Sequence, residues 1–155
     1  MTEPDVGRPP RIVVGVDGSD SSQEALKWAG RQALLTGAVV EAVTAWQMPT
    51  SYGYPLAVAP LSTPSEIAQR ILNDALDKAA QPPGAQAEMI AKVVEGSAAQ
   101  VLIDEARGAD LLVVGSRGHG GFAEALLGST GQHCVHHATC PVVVVRDSVV
   151  SHPSD

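Results

Sequence analysis

Four glycines fall within seven residues at Gly115-Ser116-Arg117-Gly118-His119-Gly120-Gly121, and Gly128-Ser129-Thr130 follows. Glycine lets backbone N–H groups approach an anion closely. Ser129-Thr130-Gly131-Gln132 has capping-box spacing, which puts Gly128, Ser129 and Thr130 at a helix N-terminus. Free amides and the helix dipole favour an anion there, and the two hydroxyls add donors. The same glycines would also suit a tight strand-to-helix turn that binds nothing. A second candidate segment is Gly15-Val16-Asp17-Gly18-Ser19, which ends an apolar run. Asp17 is either a ligand contact or the first member of an Asp-Gly turn. Arg117 and His119 are phosphate contacts or solvated loop residues. No carboxylate close in sequence marks His119 as a general base.

Other chemistries find less support. There is no G-x-x-x-x-G-K-[ST], and no lysine follows Lys92, so a P-loop NTPase is not expected. Gly118-His119-Gly120-Gly121-Phe122-Ala123 matches G-x-G-x-x-G/A, but too little chain follows for another βαβ unit and its ribose-binding acid. Ser116 is not in a G-x-S-x-G elbow, so nucleophilic hydrolysis is unsupported. His133 and His137 have the i, i+4 spacing of zinc ligands on a helix. With no second ligand pair elsewhere, and Cys140 beyond the helix, no structural metal site is expected. A histidine-bearing helix face with a small buried thiol is the reading preferred.

The candidate segments must be positioned by strands and helices. Ile12–Val16, Leu111–Val114 and Val142–Val145 are short apolar runs. Ala38–Ala45 is a fourth, interrupted by Glu41 and Thr44, and Met89–Val94 a weaker fifth, interrupted by Lys92. Runs without strict alternation suit strands buried on both faces of a parallel sheet. Helices fit between them, starting at Ser21-Ser22-Gln23-Glu24, Thr63-Pro64-Ser65-Glu66, Gly96-Ser97 and Ser129. Strict β-α alternation means an α/β, doubly wound domain with right-handed crossovers. Such folds bind ligands at the carboxyl ends of the strands, where strand order reverses. If the first and fourth strands are neighbours, the two candidate segments face each other.

Gly115, Gly118, Gly128 and Ser129 also read as G-x2-G-x9-G-[ST]. With Val16-Asp17-Gly18-Ser19 and the ending His137-Ala138-Thr139-Cys140-Pro141 through Arg146, this resembles the ATP-binding branch of the universal stress proteins, its single-domain actinobacterial members especially. The resemblance covers roughly residues 11–146. It implies a Rossmann-like five-stranded parallel sheet of order 3-2-1-4-5. It implies that Asp17 contacts the ribose and adenosine side and that Ala45 meets adenine through its backbone. By the same resemblance, Gly115, Gly118, Gly128, Ser129 and Thr130 hold the phosphates and ribose. Gly15 and the loop Ser116, Arg117, Gly118, His119, Gly120 and Gly121 would line the pocket. Trp46, directly after the second strand, is a candidate cover for the adenine end.

Composition bounds the rest. The chain has 155 residues, 45% of them hydrophobic and 3% aromatic, and a net charge of −7. One domain is expected at residues 11–146, between a flexible tail at 1–10 and a C-terminal tail at 147–155. The acidic balance opposes nucleic-acid binding. The polar N-terminus does not read as a signal peptide, and no apolar run approaches a membrane span. A soluble cytoplasmic protein is therefore expected. The expected function is an ATP-binding stress sensor or regulator, with or without Mg, and with slow or no hydrolysis. A cAMP-binding module and an interaction protein with a vestigial pocket are the alternatives. The uncharged strand Val142–Val145 would be an exposed edge in a 3-2-1-4-5 order, so a homodimer paired through it is expected.

Overall fold

Val, Ile and Leu runs bounded by polar residues form the strands of this computed structural model, which describes residues 7–48, 62–80, 86–117 and 127–147. The strands are β1 (Arg11–Gly15), β2 (Val39–Trp46), β3 (Met89–Glu95), β4 (Leu111–Gly115) and β5 (Val142–Val145). All four pairings are parallel, and the order is β3-β2-β1-β4-β5. The expected order is thus observed, and β1 and β4 are the neighbours at which the winding reverses. Between the strands lie α1 (Asp20–Thr36), α2 (Pro64–Ala79), α3 (Ala98–Glu105) and α4 (Ser129–His137).

Two apolar layers explain why the strands lack polar alternation. Ile12, Val14 and Val16 pack with Ala25, Leu26 and Ala29 of α1 and Leu72 of α2. Val13, Val43, Leu112 and Val114 turn the other way, onto Leu102 of α3 and Cys134 of α4. A central strand covered on both faces must be apolar at every position.

The two charges that interrupt the strand runs answer one another. Glu41 on β2 is largely buried. It accepts from Arg11 Nη1 at 2.8 Å, and Lys92 Nζ stands 3.6 Å away. Lys92 also donates to Glu105 at 3.2 Å. These residues line a cleft of about 690 Å³ with Arg107 and Asp110. It opens at the amino ends of the strands, away from the ligand-binding end of such folds, and its acids and bases are paired with each other.

Helix starts follow the sequence signals in two cases and depart from them in two. Thr63 accepts from Glu66 N and caps α2, with Pro64 in the first turn; Ser97 caps α3 in the same way. The first helix begins earlier than the Ser21 signal suggests. Its cap is Ser19, whose Oγ accepts from Ser22 N at 3.2 Å. For α4 the cap is Gly128, not Ser129. Gln132 bonds the Leu127 carbonyl at 3.0 Å instead of closing a capping box. Among the described residues, no helix is long and apolar enough to cross a membrane.

Candidate functional site

The carboxyl end of β1 is shaped by Asp17 and Gly18. Asp17 Oδ1 accepts from Ser19 N at 2.9 Å and from Ser19 Oγ at 2.5 Å. Its backbone N–H donates to Ser22 Oγ at 3.3 Å. Gly18 has φ +86°, a left-handed conformation that L side chains rarely adopt. Asp17 is therefore a turn residue by its Oδ1. Its second oxygen, Oδ2, makes no hydrogen bond among the described residues, leaving a lone-pair face for a ligand hydroxyl.

A polar clasp joins this turn to the segment after β4. Ser21 Oγ donates to the Arg117 carbonyl at 2.5 Å and accepts from Arg117 N at 3.2 Å. Ser19 Oγ lies 3.2 Å from the same carbonyl. Ser21 is buried. The capping-box spacing predicts a helix cap at Ser21, but its hydroxyl closes the clasp instead. The hint in the chain is the polar run Asp17-Gly18-Ser19-Asp20-Ser21-Ser22, longer than one cap needs.

Gly115 has a steric reason to be glycine. A Cβ there would lie 2.5 Å from Ser21 Oγ, 2.6 Å from Ser21 C and 2.7 Å from Ser22 N. The first turn of α1 thus rests directly on the end of β4. Gly15 faces the other layer, where a Cβ would meet Leu102 Cδ1 at 2.6 Å. Both glycines admit close packing of helices at the switch point.

Backbone alternation locates the free groups of Ala45. Val39 N bonds the Pro10 carbonyl and Val16 N bonds the Val43 carbonyl, so odd-numbered residues of β2 face β1. Val40 N bonds Glu88 and Gly96 N bonds the Trp46 carbonyl, so even-numbered ones face β3. The bond from Val16 to Val43, at 2.8 Å, is the last rung on the β1 side. Ala45 lies two residues further, and its N–H and C=O extend past that rung. Thr44 Oγ1 closes the gap by donating to the Val16 carbonyl at 2.8 Å.

The loop after β4 is closed at its base. Ser116 N bonds the Val145 carbonyl at 2.8 Å, and Gly128 N bonds the Ser116 carbonyl at 2.9 Å. That bond places the start of α4 beside the end of β4. Gly128 supplies no side-chain cap, so the first-turn amides of α4 have no side-chain partner from that position. The hydroxyls of Ser129 and Thr130 make no hydrogen bond among the described residues. Gly118, His119, Gly120 and Gly121 lie outside the described residues.

Arg117 is held away from a free role. Its Nη2 pairs with Asp147 Oδ2 at 3.1 Å, while Asp147 Oδ1 is buried without a partner. The pair ties the glycine-rich segment to the end of β5. Cys134 is fully buried, and burial pushes its thiol up to about 11. Burial also raises Cys140. Neither thiol is suited to nucleophilic work.

The arrangement is a cleft end with an uncapped helix N-terminus, two free hydroxyls, one carboxylate oxygen and one free peptide edge. The sequence profile of the universal stress protein family matches residues 10–146. This chain belongs to the universal stress protein family. A universal stress protein of Mycobacterium tuberculosis is 34% identical over 153 residues, which cover 92% of this chain and 50% of that protein. The chain thus spans about half the length of the curated relatives it matches first. The solved structure of UspA from Lactobacillus plantarum is 26% identical, covers 90% of this chain and 99% of that one, and has a TM-score of 0.70. A universal stress protein solved in complex with cAMP is 29% identical, covers 90% and 98%, and has a TM-score of 0.67.

Proposed function

We propose that this universal stress protein binds an adenine nucleotide, ATP, at the carboxyl ends of β1 and β4 and acts as a nucleotide-dependent sensor or regulator. The observation that carries the reading is the α4 N-terminus, held against the end of β4 by the Gly128–Ser116 bond and lacking a side-chain cap. Its amides and the dipole suit phosphate oxygens. Ser129 and Thr130 add hydroxyl donors, and the amides of Gly118, Gly120 and Gly121 are the further donors of this proposal, since those of Ser116 and Arg117 are engaged within the protein. Asp17 Oδ2 is the acceptor for a ribose hydroxyl. The peptide edge of Ala45 offers one donor and one acceptor, the complement of an adenine edge.

These groups bind phosphates better than they transfer them. Phosphoryl transfer needs positive charge on the developing transition state and a positioned base or water. No lysine follows Lys92, and the Arg117 guanidinium is engaged by Asp147. Turnover is therefore slow or nil, with or without Mg. The protein acts by holding its ligand. Residues 11–146 form the binding unit, and the unit pairs through β5. Val144 on that edge is 37% exposed, and the strand carries no charge to oppose pairing.

The relative solved with cAMP favours cAMP as the second reading. Titrating ATP and cAMP in parallel by calorimetry decides between them. Tighter ATP binding supports the proposal, tighter cAMP binding supports the second reading, and no binding of either leaves an interaction protein with a vestigial pocket. Steady-state hydrolysis on the order of 1 s⁻¹, ordinary for an enzyme, overturns the regulatory role. Light scattering at tens of micromolar tests the dimer, and a monomer refutes pairing through β5.

A further inference from the structure

Three histidines cluster on the exposed face of α4, outside every role assigned above. His133, His136 and His137 are all exposed. His133 and His137 are one helical turn apart, and their ring centroids lie 5.4 Å from each other at an interplanar angle of 43°. His136 stands 6.4 Å from His137 at 58°.

The first distance is the ordinary spacing of side chains one helical turn apart, and it also suits two rings sharing one ion. With Zn–N near 2.0–2.1 Å and about 1.1 Å more to the ring centre, two imidazoles sharing one tetrahedral ion have centroids about 5.2 Å apart. The 5.4 Å separation of His133 and His137 is within a few tenths of an ångström of that value. The His136–His137 pair is more than an ångström too wide. The site also lies in the last two turns of α4, where the carbonyl end of the helix dipole favours a cation.

We propose that His133 and His137 form a surface two-imidazole site for a divalent transition metal of the imidazole-preferring class, Zn²⁺ or Cu²⁺. No group of three His, Cys, Asp or Glu side chains suited to a metal occurs among the described residues. The ion therefore keeps water at its remaining positions and exchanges with solvent, unlike a structural zinc closed by four protein ligands. The fold does not depend on it.

The test is calorimetric titration of Zn²⁺ into tag-free protein at pH 8 in a non-coordinating buffer, repeated with Cu²⁺. One ion should bind per chain with half-saturation below about 100 µM. His133→Gln and His137→Gln should each weaken it about tenfold or more, His136→Gln by less than about threefold. Cys140→Ser should leave it unchanged. All four positions are at least partly exposed, and melting temperatures without metal verify that each variant is folded. Absence of saturable binding, loss on Cys140→Ser, or equal loss on His136→Gln and His137→Gln overturns the proposal.

Discussion

Adding one methyl group at Gly115 should damage both the fold and the site. The new Cβ would sit 2.5–2.7 Å from three atoms of the first turn of α1, two of them backbone atoms. Ordinary carbon contacts are about 3.5–4.0 Å, so β4 and α1 must separate by roughly 1 Å. That movement breaks the exchange between Ser21 Oγ and the Arg117 backbone. Two hydrogen bonds at about 1 kcal/mol each, with overpacking of about 1–3 kcal/mol, put the cost of Gly115→Ala at about 3–5 kcal/mol. For a domain of this size, each kcal/mol lowers Tm by about 2–4 °C, so a fall of roughly 6–20 °C is expected by differential scanning calorimetry. The glycine-rich segment starts at this residue, so nucleotide affinity should fall about tenfold or more, equivalent to about 1.4 kcal/mol. Ser21→Gly in the same chain removes only the Oγ contact and should not restore stability. A Gly115→Ala protein that melts within about 2 °C of the parent and binds nucleotide equally well would refute the close approach of α1 to β4.

Further outcomes follow from other contacts. Asp17→Asn keeps the Oδ1 acceptor that bonds Ser19, so it should retain the melting temperature while weakening nucleotide binding, whereas Asp17→Ala should lower both; calorimetry separates the two effects. Glu41→Gln leaves Arg11 and Lys92 without their shared carboxylate and should cost about 1–2 kcal/mol in urea unfolding, discounted because both cations are partly exposed; an unchanged midpoint would show the network to be neutral. The Cys134 thiol is raised from 9.0 to about 11, so the folded state keeps a proton that the unfolded state releases first. Stability is fully present below pH 9 and should fall by about 2–3 kcal/mol as pH rises towards 11, a dependence that Cys134→Ala should flatten. Arg117→Ala should leave nucleotide affinity within about twofold, because the guanidinium is already engaged by Asp147; a tenfold loss would mean that it turns to the phosphates.

The central strands were legible because burial on both faces forces a local signature. Ile12 to Val16 admits no polar residue, and the charge in the Ala38 to Ala45 run, Glu41, is paired with Arg11 and Lys92. Helix starts were legible where the cap is purely local, as at Thr63. They misled where a serine had a distant partner. Ser21 resembles a cap, but its hydroxyl serves Arg117, 96 residues further along the chain. At Ser129 the hydroxyl is left free and Gly128 takes the cap position. Arg117 is readable as a cation in a loop, while its engagement depends on Asp147, 30 residues further along and beyond the last strand.

The chain alone carries the continuous apolar runs, the glycine spacing and the Asp-Gly turn, because each depends on neighbours a few residues away. Those local terms suffice for a doubly wound sheet and for two candidate ends. Only the tertiary structure brings those ends together through β1–β4 pairing, shows that Gly115 is there to admit a helix, and leaves Ala45 with a free peptide edge. Each of these depends on strand order and on contacts between segments far apart in sequence, where no local propensity operates.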